Sequence, residues 1–439
     1  MARRRKRPPE LRLAHVDGLD RKGNATLDVD GRTRAAHGGL PGERVVVALP
    51  SGRRPRPGRV ARVLVPVPDR VVPRCPHYVT CGGCSLMHQA PAAQLAHKQA
   101  RLLATLAERD VVPERALAPL AGPAWHYRRR ARLGAREVDA KGRVLVGFRE
   151  RGGSFVADMA TCHVLVAPVA RLVGPLGELI GGLSISRRVP QVEVAAGDDA
   201  VLLVLRTLDP PSGTDLDRLR DFERRHGVAL CLQPGDASSV VTLGGGAPPD
   251  LSYALPEFDV AFAFGPNDFV QVNGPLNRRL VGRAVDLLGP RPDETVLDLF
   301  CGLGNFSLPL ARRAGRVIGL EGSAALVARA GRNAAANGIA NATFAVRDLY
   351  GRDPGPLVPP GTGVDRVLID PPRTGAGPAL AQVAALAPRR IAYVSCNPAT
   401  LAEDAAELVQ RYGYRPVAAG AVDMFPHTAH AEALALFEA

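Results

Sequence analysis

The apolar positions along this chain change rhythm from one segment to the next. Up to about residue 65 they alternate in short runs broken by glycine and aspartate. Residues 44–49 and 58–65 read as strands, and 28–34 as a hairpin around Asp30-Gly31. A small OB-like barrel accommodates such strands. Residues 91–109 carry a helical period, with Leu95, Leu102, Leu103 and Leu106 on one face. From about 111 to 265 the pattern is mixed, with strands expected at 125–133, 144–148, 155–156, 191–195 and 200–205. Arg128, Arg130 and Arg132 alternate in the first of these, which leaves a phosphate-contacting face and a plain solvated face equally open.

From Phe264 onward short apolar runs alternate with helical segments, the sign of a doubly wound sheet. Strands are expected at 295–299, 316–320, near 345, at 366–369 and at 391–394, with helices at 275–288 and 306–314 and a closing apolar segment at 433–437. Cys396 follows the fifth strand, and Pro398 is expected to block an immediate helix. The chain thus divides into 1–68, a basic tail and barrel; 69–265, a mixed α+β region; and 266–439, a Rossmann-like α/β domain. No internal repeat of 20–50 residues is visible.

Charge adds a partner to this outline. The net charge is +13, of which residues 1–70 supply +10. A basic block at one end is the footprint of a polyanion, and nucleic acid is the expected partner. Only Lys6, Lys22, Lys98 and Lys141 are lysines, so arginine identity reflects a compositional bias and carries little information. The basic start runs into Pro8-Pro9-Glu10 instead of an apolar core, and no apolar run reaches membrane-spanning length. The expectation is a cytoplasmic protein, monomeric and without a membrane partner.

The seven cysteines are odd in number and follow no secretory signal, which argues against a disulfide framework. Cys75, Cys81 and Cys84 are spaced Cys-x5-Cys-x2-Cys, with Gly82 and Gly83 allowing a tight turn. Cys162 is a remote fourth. Four thiolates suit either Zn²⁺ or a [4Fe–4S] cluster, and the three-plus-one spacing fits the cluster better. Cys231 sits in an apolar run and Cys301 in a glycine loop, where both read as packing.

The strand ends carry the remaining chemistry. Asp298 precedes the loop Phe300-Cys301-Gly302-Leu303-Gly304-Asn305, where glycines allow close approach of a ligand. Glu321 ends the second strand, where an acid can accept from a ribose diol, and Asp348 follows the third, where it can accept from an adenine amino group. Ser307 stands where a dinucleotide site wants a third glycine, so the acids describe an S-adenosylmethionine pocket better. Uracil C5 is a poor nucleophile until a thiolate adds at C6; C5 can then take a methyl group, and a base must remove the C5 proton. Cys396, Glu432 and Asp370 supply a thiol, a base and a further acid at the C-terminal end of the sheet.

The motifs Phe269-x-Gln271-x-Asn273, VLDLFCGLGNFSLPLA, DPPRTG, YVSCNPATLAED and the late His430-x-Glu432 resemble the RNA uracil-C5 methyltransferase family. GLPGERVVV at 39–47 is similar to a TRAM domain, an RNA-binding module. The resemblance covers nearly the whole chain and is nearest to the branch acting on 23S rRNA; the tRNA branch typically lacks both the barrel and the cysteine cluster. It implies Cys396 as nucleophile and Glu432 as base. It implies that Gln271, Phe300, Asn305, Glu321, Asp348 and Asp370 surround S-adenosyl-L-methionine, and that Cys75, Cys81, Cys84 and Cys162 hold a [4Fe–4S] cluster. Two rival readings are a non-catalytic, redox-sensitive RNA-binding protein and an amino methyltransferase. The latter wants an aromatic residue where Arg373 stands.

Overall fold

In the N-terminal segment β1 (Glu10–Leu19), β2 (Ala25–Val29), β3 (Arg32–His37), β4 (Arg44–Leu49) and β5 (Gly58–Val65) close into a barrel in the order β1-β2-β3-β5-β4. Val16, Leu27, Ala36, Val45 and Val47 alternate inward and fill it. Asp30 and Gly31 turn the β2–β3 hairpin with φ of 54° and 72°, the left-handed pair a two-residue turn needs. Glu43 is fully buried, accepts from the Leu40 N–H at 2.9 Å and pairs with Arg70, which ties the 39–47 run to the chain leaving the barrel. This computed structural model describes residues 8–50, 56–351 and 355–439, so the basic tail Arg3 to Arg7 lies outside the described residues.

The chain continues through α1 (Pro91–Ala107) and β6 (Arg115–Ala116) into a second sheet. Its strands are β7 (Arg130–Val138), β8 (Arg143–Gly147), β9 (Gln191–Ala196), β10 (Val201–Arg206), β11 (Ala229–Gln233) and β12 (Val241–Thr242), in the order β12-β11-β10-β9-β7-β8. Helices α2 (Ala167–Ala170), α3 (Val173–Gly181) and α4 (Gly213–His226) belong to this region, and Leu176, Ile180, Leu219 and Phe222 pack into its core. The expected strand at 155–156 is only a bridge between Val156 and Arg149. Nor does the arginine alternation present a row of free cations. Arg128 donates to the Arg130 carbonyl at 2.9 Å, Arg130 donates to the Pro266 carbonyl, and Arg132 pairs with Glu193.

A hairpin of β13 (Leu251–Leu255) and β14 (Val260–Phe264) leads to α5 (Gly274–Leu288), capped by the Asn273 side chain. The C-terminal α/β domain then runs β15 (Thr295–Leu299), α6 (Ser307–Ala311), β16 (Arg316–Glu321), α7 (Ala324–Ala336), β17 (Ala342–Val346), β18 (Arg366–Ile369), α8 (Ala379–Ala385), β19 (Arg390–Ser395), α9 (Pro398–Ala406), β20 (Arg415–Val422) and β21 (Glu432–Glu438). The sheet order is β17-β16-β15-β18-β19-β21-β20-β6: parallel from β17 to β19, with β21 antiparallel between β19 and β20. No helix among the described residues is long and apolar enough to cross a membrane.

Three local expectations change. Pro398 opens α9 instead of blocking it, because the first helical position needs no N–H donor; Asn397 caps it by accepting from the Ala399 N–H. The helix expected at 306–314 shortens to α6, since the bonds at Arg312 and Arg313 tighten to partners three residues back. On α1 the buried stripe is Gln94, Lys98, Leu102 and Leu106, while Leu95 and Leu103 are only partly buried.

Candidate active site and cysteine cluster

The site is built by register. Leu299 lies opposite both Leu320 and Ile369, and Ile369 lies opposite Tyr393, so β15, β16, β18 and β19 end along one edge. Phe300, Glu321, Asp370 and Cys396 stand at that edge. After β15 the backbone turns through positive φ at Phe300 (63°), Gly302 (56°) and Gly304 (96°). A Cβ added at Gly302 would meet nothing within 4 Å, so the loop borders open space. Glu321 accepts from the N–H of Gly302 at 3.2 Å and of Ser323 at 2.9 Å, which holds the glycine loop against the end of β16.

Behind the loop, Asp298 is fully buried and takes a hydrogen bond from Ser307, while its Oδ1 has no partner among the described residues. Burial, with smaller pushes from Asp370 and Glu321, raises its carboxyl to about 8. Part of Asp370 remains accessible, yet the protein around its carboxyl raises it to about 7. Asn305 is bound internally: its Oδ1 accepts from the Tyr253 hydroxyl and the Asn277 amide, both at 2.9 Å. Phe300 lies 5.6 Å from the Tyr350 ring, and exposed Asp348 accepts from the Tyr350 N–H at 3.0 Å. Gln271 is half-buried, two residues before the cap of α5.

Ser395 pairs with Ala433 at the end of the β19–β21 ladder, so the next positions, Cys396 and Glu432, are neighbours. Glu432 is buried, and its carboxyl is raised to about 8 by burial first and Asp370 second, against the cations Lys98 and Arg373. The half-buried Cys396 thiol is raised to about 11 by burial first, then by Glu432 and Asp370, with Arg373 opposing. The loop carrying Arg373 is fastened to the cysteine turn, since the Asn397 amide and the Thr400 hydroxyl donate to the Arg373 carbonyl at 3.0 and 3.3 Å.

Cys75, Cys81, Cys84 and Cys162 line one small cavity with Met87, Phe148 and Met159. Burial raises all four thiols, and each of Cys81 and Cys84 is pushed further by the other cysteines; Cys81 reaches about 11. Arg151 donates to the carbonyls of Tyr78 at 3.1 Å, Cys81 at 3.2 Å and Cys84, which fixes the loop's path. Among the described residues no group of three or more His, Cys, Asp or Glu is arranged to hold a single metal ion. Cys231 and Cys301 lie outside the cavity and are buried.

Several residues near the site escape the hydrophobic pattern. Lys98 is 1% exposed and donates to Asp423 at 2.5 Å and to the Phe425 carbonyl at 3.0 Å. Gln94 accepts from the His427 N–H at 2.8 Å. The usable signal is Lys98 itself, one of only four lysines in a chain with 56 basic residues. Ser85 and Arg373 carry no signal beyond their proximity to motifs.

Taken together, a parallel sheet with a glycine loop after its first strand, an acid after its second and an antiparallel pair at one side defines a Rossmann-like methyltransferase domain. The solved tRNA (uracil-54, C5)-methyltransferase of Pyrococcus abyssi, in complex with S-adenosyl-L-homocysteine, shares this fold. Its TM-score is 0.74 at 23% identity, covering 97% of this chain and 99% of that one. A family model described as tRNA (Uracil-5-)-methyltransferase matches residues 254–347 and 362–439. The 23S rRNA (uracil(1939)-C(5))-methyltransferase RlmD of Alkalilimnicola ehrlichii is 50% identical over 441 residues, covering 100% of this chain and 99% of that protein. The RlmD of Methylococcus capsulatus is 46% identical over 439 residues, covering 99% of each. The chain belongs to the RNA uracil-C5 methyltransferase family.

Proposed function

We propose that this protein transfers a methyl group from S-adenosyl-L-methionine to C5 of one uridine in 23S rRNA, giving 5-methyluridine. The observation that carries the reading is the register that sets Cys396 beside Glu432 at the sheet edge bearing the glycine loop. Full-length relatives at 46–50% identity, named for that activity, support the rRNA assignment.

The donor supplies an electrophilic methyl group on a sulfonium. Open space at Gly302, the Glu321 carboxylate and the unpaired Asp298 Oδ1 suit such a ligand, and Phe300, Glu321 and Asp370 are the nearest candidates to hold it. Asn305 shapes the loop through its internal bonds, and Gln271 and Asp348 complete the donor-binding set that the family resemblance implies. Cys396 rests as a thiol. Arg373 offsets the Glu432 and Asp370 carboxylates that push the thiol up, and its proton leaves to water as the sulfur attacks. The thiolate adds to uracil C6, C5 takes the methyl group, Glu432 removes the C5 proton, and the C6–S bond breaks to free Cys396. The uridine must first leave its stack, at a cost of a few kcal/mol, and the exposed ring of Phe269 offers a face on which a base could stack.

The division of labour follows the segments. Residues 1–68 and 69–265 capture RNA along a groove lined by Lys22, Arg56, Arg59, Arg62 and Arg149, and residues 266–439 do the chemistry. The four cysteines hold a [4Fe–4S] cluster. Zinc sites usually present two paired Cys-x2-4-Cys knuckles, whereas here three cysteines share one loop and a remote fourth joins them in one cavity. A wider cluster suits four thiols sharing one cavity. The corresponding expectation is a cytoplasmic monomer.

The test is tritium release from RNA labelled at uridine C5, with 23S rRNA and tRNA as alternative substrates. Release should require the donor, occur on 23S rRNA and vanish in Cys396→Ala. Glu432→Gln should trap a covalent protein–RNA adduct. Release from Cys396→Ala would overturn the mechanism, and release from tRNA alone would overturn the substrate.

A further inference from the structure

The segment between β20 and β21 delivers Glu432 to the site, and it is held from outside its own domain. Ser85 and Leu86, immediately after Cys84, both donate their N–H to the His427 carbonyl, at 2.9 and 2.8 Å. The Ser85 hydroxyl accepts from the Ala429 N–H at 2.9 Å. From the other side α1 contributes Gln94 to the His427 N–H, Lys98 to the Phe425 carbonyl and Arg101 to the Ala429 carbonyl at 3.2 Å. His427 itself has φ of 66°, a costly conformation for a residue with a side chain, and such backbone persists only where its surroundings over-determine it. Its ring packs on Trp125 at 4.1 Å between centroids. Three residues past Ala429 the chain enters β21 at Glu432.

We propose that Ser85 is a positioning residue for Glu432: the end of the cysteine loop clamps residues 427–429 and so serves C5 proton removal and not RNA capture. The inference rests on Glu432 being the base. The clamp acts late in the reaction. Ser85 borders the basic groove, but its hydroxyl is engaged by the Ala429 N–H and its loss removes no cation, so loosening the clamp leaves Cys396, the glycine loop and the basic side chains of the groove in place: RNA binds, the thiolate adds and the methyl group transfers. What slows is abstraction of the C5 proton, and with it elimination of Cys396 from C6. The methylated RNA therefore stays covalently attached to the protein.

The test uses the full-length protein with C5-tritiated uridine RNA, reading three quantities: tritium release, the fraction of protein carrying RNA on a denaturing gel, and the Kd for RNA without S-adenosyl-L-methionine. Ser85→Ala removes the acceptor for the Ala429 N–H, and Arg101→Met frees the Ala429 carbonyl from the α1 side, away from the cysteines. Losing one hydrogen bond to this residue should slow release roughly five- to tenfold. The trapped fraction should rise correspondingly, with the Kd for RNA unchanged within about twofold. Wild-type partitioning in Ser85→Ala, or a loss of RNA affinity matching the loss of release, overturns the proposal. If Ser85→Ala does not fold, Arg101→Met decides on the same criteria. Glu432→Gln run alongside separates the two readings. If it traps no adduct, the base assignment fails; if it traps adduct while the clamp variants do not, only the clamp fails.

Discussion

Ser395 and Ala433 form the last pair of the β19–β21 ladder, and this one register decides which side chains meet beyond it. Because strand side chains alternate, a slip of one residue would turn Glu432 to the opposite face. Cys396 and Glu432, 36 positions apart in the chain, are thus brought together by backbone pairing, and the charges around them tune what they do.

Lys98 is the first such charge. It favours the Glu432 carboxylate while Asp370 disfavours it, and Arg373 sides with Lys98. The kcat profile, where C5 proton removal limits turnover, should rise with pH toward about 8 as Glu432 ionises. Lys98→Met should move that limb to higher pH, and should destabilise the protein by about 3–5 kcal/mol because Asp423 is left without its buried partner. Lys98→Met with Asp423→Asn should recover much of the stability while the limb stays displaced. A pH–rate series with parallel urea melts checks both.

Stability should carry its own pH signature at Glu432. The folded carboxyl sits above its unfolded value, so its contribution is fully present below the unfolded pKa of 4.5 and is lost as pH rises toward about 8. Glu432→Gln should therefore melt close to wild type at pH 5 and several degrees higher at pH 9. Equal melting differences at both pH values would count against a neutral buried carboxyl.

The donor pocket is tested at Glu321, which holds the glycine loop through Gly302 and, on the reading proposed above, accepts from a ribose diol. Glu321→Ala should raise the KM for S-adenosyl-L-methionine by roughly 10- to 100-fold, the range for losing hydrogen bonds to a charged group. The rate of a pre-formed ternary complex should change much less, which single-turnover kinetics measures.

Exposed Arg59 and Arg62 line the groove between the barrel and the middle sheet. Replacing either by alanine should weaken RNA binding and lower the slope of log affinity against log salt by about 0.7–0.9 for each phosphate no longer neutralised. Binding of S-adenosyl-L-methionine should not change, as calorimetry in the absence of RNA would register.

For the cysteines, Cys162→Ser should release bound iron and abolish the visible absorption of a cluster. Replacing Arg151 by methionine, which frees the carbonyls of Tyr78, Cys81 and Cys84, should only speed iron loss to a chelator. Zinc at one equivalent with no iron would overturn the cluster assignment.

Legibility follows side-chain chemistry. Runs such as 295–299 and 391–394 announce themselves because apolar and β-branched residues cluster between polar boundaries. β20 does not: Arg415-Pro416-Val417-Ala418-Ala419-Gly420-Ala421-Val422 is poor in β-formers and becomes a strand by pairing with β21. The helix at α1 is legible but its buried face is not, because Gln94 and Lys98 are buried to grip a distant loop where periodicity expects apolar residues. Pro398 reads as a breaker although the same ring favours a helix's first position. Cys396 and Glu432 are visible as candidates; their shared ladder end is not, since antiparallel insertion of β21 leaves no local trace.

That insertion has a consequence during synthesis. β21 emerges after both of its neighbours, so a growing chain carries β19 and β20 with a vacant lane between them. Until residues 432–438 arrive, two rows of backbone donors and acceptors are unpaired and attractive to other chains. On the reading proposed above, Cys396 meanwhile lacks Glu432, so an unfinished molecule could not complete C5 proton removal. Filling the lane closes the sheet and brings Glu432 to Cys396 in the same stroke.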